Sequence, residues 1–155
     1  MRPRNKRLSA AAAIAATIAI PAEGLRQYAY YDPPGILTVC YGSTHDVVKG
    51  KRYNLDECKQ RLDADMLEAI DAVERCVPNL PENVLAAFGD AVYNLGPKIA
   101  CDSTAHKYLK AGDFASACKQ LPRWNKARVA GALVELPGLT KRRNIEMQLC
   151  LGETE

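Results

Sequence analysis

Residues 21–42 read PAEGLRQYAYYDPPGILTVCYG. Glu23 is followed nine residues later by Asp32 and six beyond that by Thr38, in a run rich in proline, glycine and tyrosine. Pro21 lacks the N–H a helix interior needs but suits a first turn, which predicts one helix ending and another beginning there. Residues 21–30 then read as a short helix, with Glu23 near its start and Leu25 and Tyr28 on one side. Asp-Pro-Pro-Gly makes a turn, and ILTVCYG and VVKGKRY read as short strands. Breaking a glycosidic bond needs one carboxylic acid to protonate the leaving oxygen and a second carboxylate to activate water or attack. Glu23 and Asp32 facing across a cleft have the groups for this, and the Thr38 hydroxyl can hold the water. Plainer uses stand beside that one: a first-turn glutamate facing the helix dipole and an aspartate opening a proline turn.

Ahead of this stretch, MRPRNKR is basic and the next 15 residues, Leu8–Ala22, carry no charge. As a helix they would reach about 22 Å, short of a bilayer core of roughly 30 Å. Alanine, serine and threonine make the grip on lipid weak. The basic flank predicts an N-terminus held in the cytoplasm and an exported body. A cleavable signal peptide would be cut after Ala22, but Ile20 departs from the small-residue rule and Glu23 would become the terminus. A permanent anchor is too short, and a buried alanine-rich helix of a cytosolic protein is a further alternative. The preferred reading is an uncleaved, weakly hydrophobic segment that enters the membrane and can leave it.

Downstream, NLDECKQRLDADMLEAIDAVERCV is the strongest helix, with Asn54 and Glu57 forming a capping box and Leu55, Cys58, Leu62, Met66, Ala69, Ile70 and Val73 at helical spacing. PENVLAAFGDAVYNLG is a second, opened by Pro81 and closed by Gly96. Shorter helices are expected near 103–111, 113–120 and 121–128, and PGLTKRRNIEMQLCLG as a last one. No Pro-, Gly- or Ser-rich linker divides the chain, and 155 residues suit one core.

The net charge is +3, but Arg2, Arg4, Lys6 and Arg7 contribute four positive charges, leaving about −1 for the rest. A nucleic-acid binder carries its basic surface on the folded domain, so nucleic acid is not an expected partner. Lys141-Arg142-Arg143 reads as a solvated helix face. The six cysteines include no CxxC pair, and neither His45 nor His106 has ligand spacing, so no metal site is expected. An even, dispersed set suits disulfides in an oxidising compartment, six free buried thiols being the alternative. Six cysteines allow 15 pairings. Sequence neighbours close the shortest loops, which favours Cys40–Cys58, Cys76–Cys101 and Cys118–Cys150.

EGLRQYAYYDPPGILTVCYG resembles the active-site stretch of the phage-type lysozymes, glycoside hydrolase family 24, which carry Glu, Asp nine later and Thr six beyond. AAFGDAVYNLG resembles that family's helix ending in an aromatic-Asn-x-Gly pattern, and STAHKYLKAGDFASACKQLPRW and LPGLTKRRNIEMQLC resemble its C-terminal half. The resemblance spans roughly residues 23–150. It implies an α+β, lysozyme-like fold, a small β-hairpin lobe on a mostly helical body, here with an N-terminal apolar helix. It also implies hydrolysis of the β-1,4 bond between N-acetylmuramic acid and N-acetylglucosamine in peptidoglycan, with inversion and no cofactor. Glu23 would be the general acid, Asp32 the base or water-positioning carboxylate, Thr38 an orienter of water, Tyr93 and Asn94 sugar-cleft residues, and Arg142 or Arg143 a support for the acid. Ser43 stands where many members have a histidine, a place His45 partly fills.

The alanine-rich segment is similar to that of the signal-anchor-release endolysins, lysis enzymes tethered inactive in the membrane until it depolarises. Residues 1–22 would then be the release segment and 23–155 the catalytic domain, of a monomer held at the inner membrane through residues 8–22, facing the periplasm, and later soluble there. Cysteine-based caging is not expected, because Asp32 is intact and residues 1–39 lack cysteine. The rival readings are a lytic transglycosylase on a related fold and a non-catalytic, disulfide-stapled periplasmic protein that binds cell wall or inhibits a host enzyme.

Overall fold

The computed structural model describes residues 3–152. The chain opens with helix α1 (Arg4–Glu23), followed by strands β1 (Arg26–Tyr31) and β2 (Leu37–Cys40), which pair antiparallel. Helices α2 (Leu55–Cys76), α3 (Glu82–Leu95), α4 (Lys98–Cys101), α5 (Thr104–Ala111) and α6 (Phe114–Cys118) build the body. A second antiparallel hairpin, β3 (Lys126–Val129) and β4 (Ala132–Glu135), precedes the closing helix α7 (Pro137–Leu151).

α1 corrects the reading of residues 21–30. Pro21 lies inside it, and the helix runs on to Glu23. Pro21 is exposed, as is Thr17, whose carbonyl its missing N–H would have bonded. The stop comes at Gly24, whose φ of 73° is closed to most side chains. Glu23 therefore ends a helix, and the residues that follow form β1. The second expected strand, VVKGKRY, contributes only an isolated bridge from Arg52 to Tyr28.

α1 is part of the core. Leu8, Ala11, Ala12, Ala15, Ala16 and Ala19 are buried with Leu62, Met66 and Ile70 of α2 and Leu85 and Phe88 of α3. Alanine on its inner face lets α1 approach its neighbours closely, while Lys6, Ser9 and Thr17 face out. No described helix is long and apolar enough to cross a membrane. At its N-terminal end Arg7 is buried against Glu74 of α2, with Nη2 2.7 Å from Oε2, and Nη1 donates to the Leu80 carbonyl at 3.1 Å. Arg4 pairs with Asp71 at 2.8 Å on the surface. Arg2 lies outside the described residues.

Asn54 and Glu57 form the expected capping box of α2, although Leu55 is exposed. Residues 121–128 are not a helix: a 3₁₀ turn over Leu121–Arg123 leads into β3. The β3–β4 turn is the two-residue kind that needs positive φ at both centres, here 52° at Ala130 and 84° at Gly131. Disulfides join Cys40 to Cys58, Cys76 to Cys101 and Cys118 to Cys150. The first ties the β lobe to α2, and the last ties α6 to α7. A smaller buried group of Val39, Cys40, Tyr53 and Cys58 forms the root of the lobe.

Candidate active site

Glu23 sits where four elements meet. It ends α1, where the partial negative charge of the helix C-terminus disfavours a carboxylate. From α7, Arg142 brings Nη1 to 3.4 Å from Glu23 Oε2, and the Glu23 side chain keeps 24% of its surface exposed. From the β lobe, Gly42 lies beneath the carboxyl: a Cβ there would come within 3.6 Å of Oε2 and 3.9 Å of the Tyr93 hydroxyl, and its φ of 91° also favours glycine. Burial pushes the Glu23 carboxyl above the usual glutamate range, and the opposing pull of Arg142 does not cancel it. A partly exposed carboxyl that holds a proton is what a general acid requires.

Arg142 is itself held by a buried aspartate. Its Nε and Nη2 each donate to Asp90 of α3 at 2.9 Å. Burial works against its charge, but these bonds outweigh that and keep it cationic. Arg143, beside it, is fully buried and donates from Nη2 to Glu146 Oε2 at 2.7 Å. The solvated-face reading of Lys141-Arg142-Arg143 is thus corrected: only Lys141 is exposed. The signal for this cluster was Asp90, a lone carboxylate within the apolar run VLAAFGDAV, where a charge needs a partner.

Asp32 opens the loop between β1 and β2. Its Oδ1 accepts from the Ile36 N–H at 2.7 Å, which leaves its other oxygen for a further partner. Thr38, buried on β2 opposite Tyr30, donates its hydroxyl to the Ile36 carbonyl at 2.9 Å. The oxygen of Thr38 is thereby left as an acceptor. One residue's backbone orients both groups. Glu23 lies at the root of the hairpin and Asp32 at its tip.

Tyr93 and Asn94 are neighbours that face different cavities. Asn94 lines a cavity of about 460 Å³ with Ile18, Glu23, Leu139 and Arg142, and its buried Oδ1 has no hydrogen-bond partner among the described residues. Tyr93 lines a cleft of about 390 Å³ with Gly42, His45, Asp65 and Glu68. Its hydroxyl donates to the Tyr41 carbonyl, and burial, with Glu23 and Asp65 nearby, raises its pKa. His45 Nε2 lies 3.8 Å from Asp65 and 3.9 Å from Glu68. These three are the described residues whose ligand atoms come within 4.8 Å of one another.

A family model described as phage lysozyme matches residues 21–146. A protein named SAR-endolysin from bacteriophage PS119 is 37% identical over 131 residues, 83% of this chain and 76% of its own. The SAR-endolysin of Pseudomonas phage phiKMV is 35% identical over 153 residues, 95% of this chain and 92% of its own, so that match includes the N-terminal segment. The crystal structure of the active form of the P1 phage endolysin Lyz superposes with a TM-score of 0.78 at 26% identity, covering 90% of this chain and 83% of that one. The chain belongs to the phage lysozyme family and is a glycoside hydrolase of the lysozyme type.

Proposed function

We propose that this lysozyme is a phage endolysin that cuts the β-1,4 bond between N-acetylmuramic acid and N-acetylglucosamine of peptidoglycan with inversion, and so lyses the host. Glu23 is the general acid: its proton passes to the glycosidic oxygen as the bond to the anomeric carbon breaks. Asp32 takes a proton from a water that attacks the opposite face of the sugar, and Thr38 holds that water with its free lone pair. An inverting pair calls for carboxyls about 6.5–9.5 Å apart. The observation that carries this reading is the largely enclosed carboxyl of Glu23, set 3.4 Å from Arg142 at the junction of lobe and body. Tyr93 lines the sugar cleft on the Gly42 side, and Asn94 is the sugar-contacting residue of the cavity it shares with Glu23. The enzyme works as a monomer with no nucleic-acid partner.

Residues 1–22 form a functional unit apart from 23–155 in this reading. Residues 8–22 first lie in the inner membrane, with the body in the periplasm. Leaving the bilayer lets the segment fold as α1 and brings Glu23 into the cleft. Support comes from α1 itself: the helix that fills the core also ends in the general acid. A non-catalytic cell-wall binder would show no lysis to lose. The test is clearing of permeabilised bacteria by the released protein and by Glu23→Gln. Rapid clearing by the first and none by the second is expected, and equal clearing by both would remove Glu23 from the role.

A further inference from the structure

Five ionisable side chains run in contact from the interior to the cleft: Arg143 to Glu146, Glu146 beside Asp90, Asp90 to Arg142, and Arg142 to Glu23. Asp90, Arg143 and Glu146 have no exposed surface, so they cannot touch substrate. Asp90 nevertheless takes two of the Arg142 donors, leaving Nη1 as the one directed at Glu23.

We propose that Asp90 is a positioning residue for the general acid: by clamping Arg142 bidentately it fixes the guanidinium beside Glu23 and balances its charge, so Arg142 orients the carboxyl without taking away its proton. The inference rests on Glu23 being the general acid. A bare guanidinium at that distance favours an ionised carboxylate, and such a pairing ordinarily lowers a carboxyl pKa by about 1–3 units. The groups facing Glu23 are Arg142 and Arg143 from α7 and Asp90 and Tyr93 from α3, with Gly42 adding no charge from the lobe. Those facing Asp90 are Arg142 and Glu146. Two guanidiniums thus meet three carboxyls, and one proton brings the set to neutrality. Burial and the adjacent Asp90 keep Glu146 well above the usual range, and burial raises Glu23 against the pull of Arg142. Replacing Asp90 by asparagine leaves two carboxyls for two guanidiniums, a set that needs no proton.

The variants make opposite demands. Asp90→Asn should move the alkaline limb of the kcat profile on soluble glycan strands to lower pH by about one unit. Its kcat should fall at neutral pH and recover on acidification, with KM little changed. Arg143→Gln, which removes a cation, should move the limb upward. A shared loss with no shift, as from loosened packing, would overturn the proposal. Titration of the Glu23 carboxyl carbon by ¹³C NMR reads the same shifts without activity. In the unsubstituted protein that carboxyl should titrate above the usual glutamate range, and an ordinary value overturns the proposal even if neither variant folds. If Glu23→Gln stays fully active while the Glu23 carboxyl still responds to Asp90, the general-acid assignment has failed and the clamp has not.

Discussion

Asp32 and Thr38 are joined through one backbone: the Ile36 N–H donates to the Asp32 carboxylate at 2.7 Å, and the Ile36 carbonyl accepts from the Thr38 hydroxyl at 2.9 Å. The carboxylate and hydroxyl proposed to hold the attacking water therefore move as a unit with the tip of the β lobe. Asp32→Asn keeps an oxygen to accept from Ile36 but loses the charge, so it should fold normally and lose activity by about 10²–10⁴-fold. Thr38→Val removes the water's acceptor and a hydrogen bond at a buried site and should cost less activity, together with about 1 kcal/mol of stability. Lysis rates and thermal melts of the two variants check this.

Glu23 is expected to trade stability for activity. Its carboxyl pKa is raised in the folded protein, so its contribution is full below the ordinary glutamate pKa and is lost as pH rises through the raised value. Glu23→Gln should therefore melt a few degrees higher than the unsubstituted chain at pH 7, on the order of 2–4 °C per kcal/mol at this size. The difference should vanish near pH 4. Calorimetry across that range would show it, and a Glu23→Gln protein less stable at pH 7 would contradict the assignment.

Arg7 and Glu74 tie the N-terminal end of α1 to the body from positions buried on both sides. Removing either partner strands a buried charge, so Arg7→Ala or Glu74→Ala should cost about 3–5 kcal/mol, and removing both should cost less than the sum. In cells, a protein whose residues 8–22 are fused to a permanent transmembrane helix should reach the periplasm but fail to lyse, because α1 cannot dock. Full lysis by that locked form would contradict release as the activating step.

Active, exported protein should have a mass six hydrogen atoms below the reduced chain, one pair for each disulfide. Losing the Cys118–Cys150 bridge should cost about 2–4 kcal/mol, read by denaturant unfolding of the Cys118→Ser/Cys150→Ser variant. Six free thiols in lytic protein would contradict the export reading.

The long helices were legible because their signals are local: the Asn54–Glu57 capping box, Gly96 after α3, and an apolar period of 3.6. The family too was legible, since the Glu23, Asp32 and Thr38 spacing is distinctive. Pro21 misled because a proline near an exposed helix end loses little, while Gly24 carries the true stop. The β3–β4 hairpin was hidden because Ala130, and not Asn or Asp, takes the left-handed position. The Arg142–Asp90 pair joins residues 52 apart in sequence, and nothing in either segment alone names the other. In the N-terminal segment, the same alanine that gives a weak hold on lipid lets the helix pack against α2 and α3.

Analysis of the fragments released from purified peptidoglycan tests the central claim most directly. Mass spectrometry and anomeric proton NMR of fresh digests should show reducing N-acetylmuramic acid ends that carry the elements of water and have inverted configuration, none of them released by Glu23→Gln. Anhydro-muramic ends, retained configuration, or the same fragments from Glu23→Gln would contradict it.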